Sequence, residues 1–106
     1  MLDRSSRLKK RDIARVYKKS QRLNADFMAV RFMSNMAKSS RFCIVIPKAV
    51  VKLSTARSRL KRKISEAIEA NRSQLKRNYD IILSIRKNPA EAEIGPAIKK
   101  IMETTL

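Results

Sequence analysis

The chain has 106 residues, so a single domain over 1–106 is expected, and 43% apolar residues suffice for a packed core, while 26 Lys and Arg against 9 Asp and Glu leave a net charge of +17. The absence of histidine and the presence of one cysteine, Cys43, exclude the usual zinc sites, a Ser-His-Asp triad, a Cys-His pair and an intramolecular disulfide, and the lone glycine, Gly95, excludes Walker and dinucleotide loops. No apolar run approaches the roughly 18–20 residues that span a bilayer, and residues 1–7 carry no secretory signal, which together point to a cytoplasmic protein that does not catalyse alone.

In chain order, Ile13, Val16 and Tyr17 follow the i, i+3, i+4 spacing of a helix face, with Lys9, Lys10, Arg11, Arg15, Lys18 and Lys19 around the rest. The spacing predicts a basic helix over 9–19, with Val16 as its core residue. Residues 26–33, rich in Phe, Val and Met, read as a strand, and 34–40 as a loop. The run 41–46 is apolar on both alternating faces, as in a central strand covered on each side, with Cys43 a small buried hydrophobe. Pro47 ends it.

Ser54 or Thr55 is expected to cap a second helix running to about 71. Leu60, Ile64, Ala67 and Ile68 fall within about 100° of one another and form its core stripe, leaving Arg59, Lys61, Arg62 and Lys63 on the remaining arc and Arg57 at its edge. Residues 79–86 read as another apolar strand. Asn88, Pro89 and Ala90 break the chain, and Pro96 is expected in the first turn of a last helix whose face is Ala97, Ile98, Ile101 and Met102. The order is that of a small layered α+β domain.

The charge is concentrated. Nine basic residues and one acid, Asp12, lie between Arg4 and Arg22; five of the seven residues from Arg57 to Lys63 are basic; after Asn88 the acids Glu91, Glu93 and Glu103 outnumber Lys99 and Lys100. Self-repulsion of this size is relieved by a polyanion, and two basic segments on helices point to nucleic acid. A membrane surface would require a spare amphipathic helix with exposed bulky apolar residues, and none is found. No protein partner is implied.

The segment Ala56-Arg57-Ser58-Arg59-Leu60-Lys61-Arg62-Lys63-Ile64 resembles the signature helix of the protein subunit of bacterial ribonuclease P, roughly Arg-Asn-Arg-Ile-Lys-Arg-Arg-Leu. Arg7-Leu8-Lys9-Lys10 with Asp12-Ile13 and Val16-Tyr17 is similar to that family's first helix. Arg41-Phe42 to Pro47-Lys48 resembles its apolar strand and turn, and residues 79–86 its late strand. The matches come in family order over about 7–102. Ser58 stands where the family usually has Asn, Ser65 where it often has Arg, Ile13 for a usual Phe, Ser20 for a glycine, and Val30 at a common aromatic position.

The resemblance implies an α-β-β-β-α-β-α sandwich with a left-handed crossover, so that a strand beyond those read above falls near 20–24. It implies a protein without catalytic residues that binds a catalytic RNA, which removes the 5′ leader of precursor transfer RNA using magnesium. Arg57, Ser58, Arg59, Lys61, Arg62 and Lys63 would contact that RNA, with further contacts from Lys9, Lys10, Arg11 and Arg15. Ile13, Tyr17, Phe27, Val30 and Lys48 would line a cleft for the single-stranded leader, Tyr17 as the stacking surface. A small basic ribosomal or other structural RNA-binding protein is the main alternative. A DNA-binding protein lacks a second helix spaced as in a helix-turn-helix, and a self-contained nuclease is disfavoured by the dispersal of Asp3, Asp12, Asp26 and Asp80.

Overall fold

In the computed structural model, which describes residues 6–37 and 39–104, the elements are α1 (Lys10–Lys19), β1 (Gln21–Ala25), β2 (Met28–Ser34), β3 (Arg41–Val45), α2 (Ser54–Asn71), β4 (Tyr79–Ile85) and α3 (Glu91–Thr104). Asp3 and Arg4 lie outside the described residues. The sheet order is β1-β2-β4-β3; β3 pairs parallel with β4 and the other pairs are antiparallel.

Alternation sends Met28, Val30, Phe42, Ile44, Ile81, Leu83 and Ile85 to one face of the sheet. There they pack against Leu60, Ile64 and Ile68 of α2 and Ile94, Ala97, Ile98, Ile101 and Met102 of α3. The opposite face carries a smaller cluster, Leu8, Val16 and Ile82, flanked by Ile13, Met33, Cys43 and Val45, beneath α1. The result is three layers. β3 lies at an edge of the sheet, paired with β4 alone among the strands, and is not the central strand its apolar run suggests; Phe42 and Ile44 are buried against the main core, while Cys43 and Val45 are half-buried on the α1 side. Burial pushes the Cys43 thiol up, and the charge of Lys61 offsets only part of this.

One expectation from the resemblance is met, and three further sequence expectations change. The additional strand exists as β1, whose residues Gln21, Arg22 and Asn24 are exposed and whose inward pair, Leu23 and Ala25, is only half-buried, so it carries little apolar signal. Residues 26 and 27 form the turn to β2 rather than its start. Asp26 adopts φ 50°, a left-handed conformation that Asp tolerates, and Phe27 tucks into the core.

Neither Ser54 nor Thr55 caps α2. The cap residue is Leu53, without a side-chain bond, and the entering chain is held instead by Arg57, whose Nη1 donates to the carbonyls of Val51 (2.9 Å) and Lys52 (2.8 Å). Pro96 lies inside α3, because the helix begins earlier, at Glu91. Glu91 and Glu93 favour the positive helix start, the Glu93 carboxylate accepts the Ala90 N–H at 3.3 Å, and Ile94 anchors the first turn in the core.

The α1 layer is fastened by a buried polar network. Asp80, on β4, is 0% exposed. Its Oδ1 accepts from Asn35 Nδ2 (2.7 Å) and Arg41 Nε (2.9 Å), and its Oδ2 from Arg15 Nη2 (2.8 Å) and Arg41 Nη2 (2.9 Å). Asp12 of α1, also buried, lies 3.3 Å from both Arg15 and Arg41. The hydrogen bond to Asp80 pushes the Arg41 guanidinium further up, helped by the charges of Asp80 and Asp12 and opposed by burial. Arg72 adds a second tie, donating to Ser6 Oγ (2.7 Å) and the Ser40 carbonyl (2.8 Å) with its guanidinium 5.6 Å from the Phe42 ring centroid.

Breaking a buried ion pair from one side leaves the other charge poorly solvated. Arg41→Met is expected to lower unfolding free energy by about 3 kcal/mol, near the low end for such a break because Arg15 and Asn35 still reach Asp80. Asp12→Asn, at a looser and partly wet pair, should cost under about 1 kcal/mol. Urea midpoints measure both, and equal losses would contradict this ranking.

Candidate nucleic-acid interface

The buried stripe of α2 turns its cations outward. Arg59, Lys61 and Arg62 are exposed and have no ion-pair or hydrogen-bond partner among the described residues. Ser58 is exposed beside them. Ser54, Thr55, Ser58, Arg59 and Arg62 line one groove of about 330 Å³, and Val45, Ile46, Ser54, Arg57, Ser58 and Lys61 line a neighbouring one of about 400 Å³. No acid occupies the first turn of α2, in contrast to α3. The uncapped N–H groups and the positive helix end therefore add to the side-chain charge and favour phosphate.

Two residues predicted as RNA contacts have other partners here. Arg57 is half-buried and directs one nitrogen to the carbonyls of Val51 and Lys52, so it positions the loop that precedes the basic surface. The Lys63 amine lies 3.1 Å from Glu91 of α3, tying the two helices at the edge of the patch. Ser65, at a position where Arg would extend the basic row, is buried and donates to the Lys61 carbonyl of its own helix at 2.8 Å.

On the other side of the sheet, α1 exposes Lys10, Arg11, Lys18 and Lys19, with Lys9 exposed at its start. Arg15 is the exception among the predicted contacts, since its Nη2 is engaged by Asp80 and Asp12. Tyr17 is 45% exposed, and the Arg31 guanidinium stands 5.0 Å from its ring centroid. Ile13 is half-buried at the foot of α1 beside the Leu8–Val16–Ile82 cluster. Together these residues offer a ring, a planar cation and an apolar wall, the components of a stacking site for an unpaired base.

Phe27 and Val30 do not take part. They are 3% and 0% exposed, in the core beneath α2 and α3 on the opposite sheet face. The strand residue that faces α1 is Arg31, one step along from Val30; the resemblance places Val30 in the cleft, but alternation along β2 turns it to the other face. The signal available in the sequence was the alternation Val30-Arg31-Phe32. Lys48 is exposed in the turn after β3, where the N–H groups of Val50 and Val51 reach the Pro47 carbonyl at 3.0 and 3.2 Å; no contact brings it to α1.

The described residues do not assemble a magnesium site. Among the described residues no cluster of three or more Asp, Glu or Cys could hold a metal ion, and the one buried carboxylate pair, Asp12 and Asp80, is directed at guanidinium and amide donors.

A profile of the Ribonuclease P family matches residues 2–105. A ribonuclease P protein component from Pseudanabaena sp. is 30% identical over 96% of this chain and 92% of its own length, and one from Ureaplasma urealyticum is 31% identical over 90% and 82%. The same fold is found in the RNase P protein of Thermotoga maritima, with a TM-score of 0.82 at 22% identity over 94% of this chain and 97% of that one. The Staphylococcus aureus RNase P protein gives 0.81 at 22% identity over 92% and 93%. With an α-β-β-β-α-β-α order, a four-stranded mixed sheet and exposed cations on the helix between its parallel strands, the chain belongs to the ribonuclease P protein family.

Proposed function

We propose that this chain is the RNA-binding protein cofactor of a ribonuclease P ribonucleoprotein, the enzyme that removes the 5′ leader from precursor transfer RNA. It is the accessory subunit of that endoribonuclease, and its partner in the complex is the ribonuclease P RNA. The observation that carries the reading is the row Arg59, Lys61 and Arg62, exposed and without partners among the described residues, in the turns that follow the uncapped start of α2, in a chain of this family. Arginine there binds phosphate bidentately and displaces counterions from folded RNA.

Two finer statements belong to the same proposal. Precursor transfer RNA is the substrate, and its single-stranded leader lies along α1, stacked on Tyr17 and Arg31 with Lys10 and Arg11 beside its phosphates. This is supported by the exposed ring, its cation and the absence of acid from the outer face of α1, since Asp12 is buried. Bond cleavage and its magnesium ions are assigned to the RNA subunit, consistent with a protein whose buried acids are already engaged. The protein works in the bacterial cytoplasm, which suits its single free cysteine. No helix among the described residues is long and apolar enough to cross a membrane.

Reconstitution tests the proposal. Added to a bacterial ribonuclease P RNA, the protein should lower the magnesium concentration needed for cleavage and tighten binding of leader-bearing substrate; unchanged cleavage across a magnesium titration would reject it. Arg59→Ala with Arg62→Ala should weaken binding to that RNA and reduce the slope of log affinity against log salt by about two, one per lost phosphate contact, at unchanged circular dichroism. An unchanged slope would remove α2 from the interface. Tyr17→Ala should lower affinity for leader-bearing transfer RNA by about 1–3 kcal/mol, the range for losing one stacked base, and leave mature transfer RNA nearly unaffected. Equal losses would make the ring a packing element.

A further inference from the structure

A third concentration of positive charge starts at Lys19, the last residue of α1, and extends away from Tyr17 to Lys76 and Arg77. β3 and β4 run parallel, with Arg41 beside Asp80 at one end and Val45 beside Ser84 at the other. The start of α2 adjoins the Val45 end, through the groove that Val45 and Ile46 share with Arg57 and Lys61. At the opposite end, where β2 finishes and β4 begins, a groove of about 320 Å³ is lined by Lys19, Gln21, Phe32, Ser34, Arg77 and Tyr79.

This groove combines rings and cations without acid. Phe32 and Tyr79 meet edge to face, with ring centroids 6.1 Å apart and planes at 79°, and both are half-buried, so their inner edges rest on the core and their outer edges border the groove. Lys19 and Arg77 are exposed and have no partner among the described residues, and Lys76 extends the charge. Gln21 and Ser34 supply donors and acceptors at the rim. No carboxylate lines the groove, and Asp80, next in sequence to Tyr79, is directed away into its own network. Packing alone would account for the two rings, but it leaves two unpaired cations flanking them without a role.

We infer that this groove is a second single-stranded RNA site, taking a base at the Phe32–Tyr79 edge and its flanking phosphates on Lys19 and Arg77. Half-exposed rings between unpaired cations match single-stranded RNA better than an acidic peptide, which would use the charge and leave the rings idle. The inference rests on the reading of the chain as an RNA-binding protein, but not on its docking to a ribonuclease P RNA.

The test uses the whole protein and a single-stranded oligoribonucleotide of about eight nucleotides carrying 4-thiouridine, without any catalytic RNA. Two crosslinked regions are expected, one at Tyr17 and one containing Phe32 or Tyr79. Lys19→Ala with Arg77→Ala should reduce the second crosslink about tenfold, the size expected for losing two phosphate contacts beside a stacked base, and the first by no more than about threefold, since Lys19 also belongs to the α1 surface. Lys99→Ala with Lys100→Ala, on the exposed side of α3, should change neither by more than about twofold, a control for net charge. Absence of crosslinks at Phe32 and Tyr79 overturns the inference, as does an equal loss in both double variants. So does displacement by an acidic peptide but not by unlabelled RNA. A failed reconstitution with ribonuclease P RNA would leave these outcomes unchanged, so the two readings fail separately.

Discussion

The carboxylate of Asp80 is the constraint around which the α1 side of the molecule is arranged. A buried anion is tolerated only when its lone pairs are filled, and here four donors from Asn35, Arg15 and Arg41 do so at 2.7–2.9 Å. Those donors come from three places: α1, the loop after β2, and β3. Satisfying one charge therefore fixes the helix, the loop and an edge strand relative to β4. The apolar part of the α1 contact, Val16 against Leu8 and Ile82, is small by comparison with the main core. Without the network, little would hold α1 at the angle that sets Tyr17 beside Arg31.

The same network disposes of the charge economically. Of the many cations, Arg15, Arg41 and Arg72 are turned to inward or local partners, and Lys63 is bridged to α3. Asp12, Asp80, Glu69 and Glu91 are taken up by these residues, and Arg59, Lys61 and Arg62 are left exposed with no ion pair among the described residues. A net charge that would otherwise only destabilise the fold becomes a surface with defined grooves, each able to exchange counterions for phosphates. Lys19 and Arg77 follow the same logic at the far end of the sheet.

Much of this was legible in the linear chain. The apolar stripe of Leu60, Ile64 and Ile68 placed the cations of α2 on its outer arc, because a 3.6-residue period leaves no other choice once the stripe is buried. The apolar run of β4 reads as an interior strand, which it is; the similar run of β3 belongs to an edge strand, apolar because helices lie over both of its faces. β1 was legible only through family resemblance, since its five residues carry no continuous apolar pattern. The resemblance places Phe27 and Val30 in the cleft, but Phe27 lies in the turn before β2 and tucks into the core, and the alternation of Val30, Arg31 and Phe32 puts Arg31 on the α1 face instead.

The sequence by itself determined the number of cations, their grouping on two helices, the apolar faces that must be buried and the family to which the ordered motifs point. The first three follow from local periodicity and composition, and the last from the resemblance of the ordered motifs. Only the tertiary structure decided which cations remain free. Whether Arg15 meets a phosphate or Asp80, whether Arg57 faces RNA or the carbonyls of its own loop, and whether Arg31 or Val30 stands beside Tyr17 all depend on partners distant in the chain. Charge and hydrogen bonding act through space, so their outcome is set by folding and cannot be read from spacing.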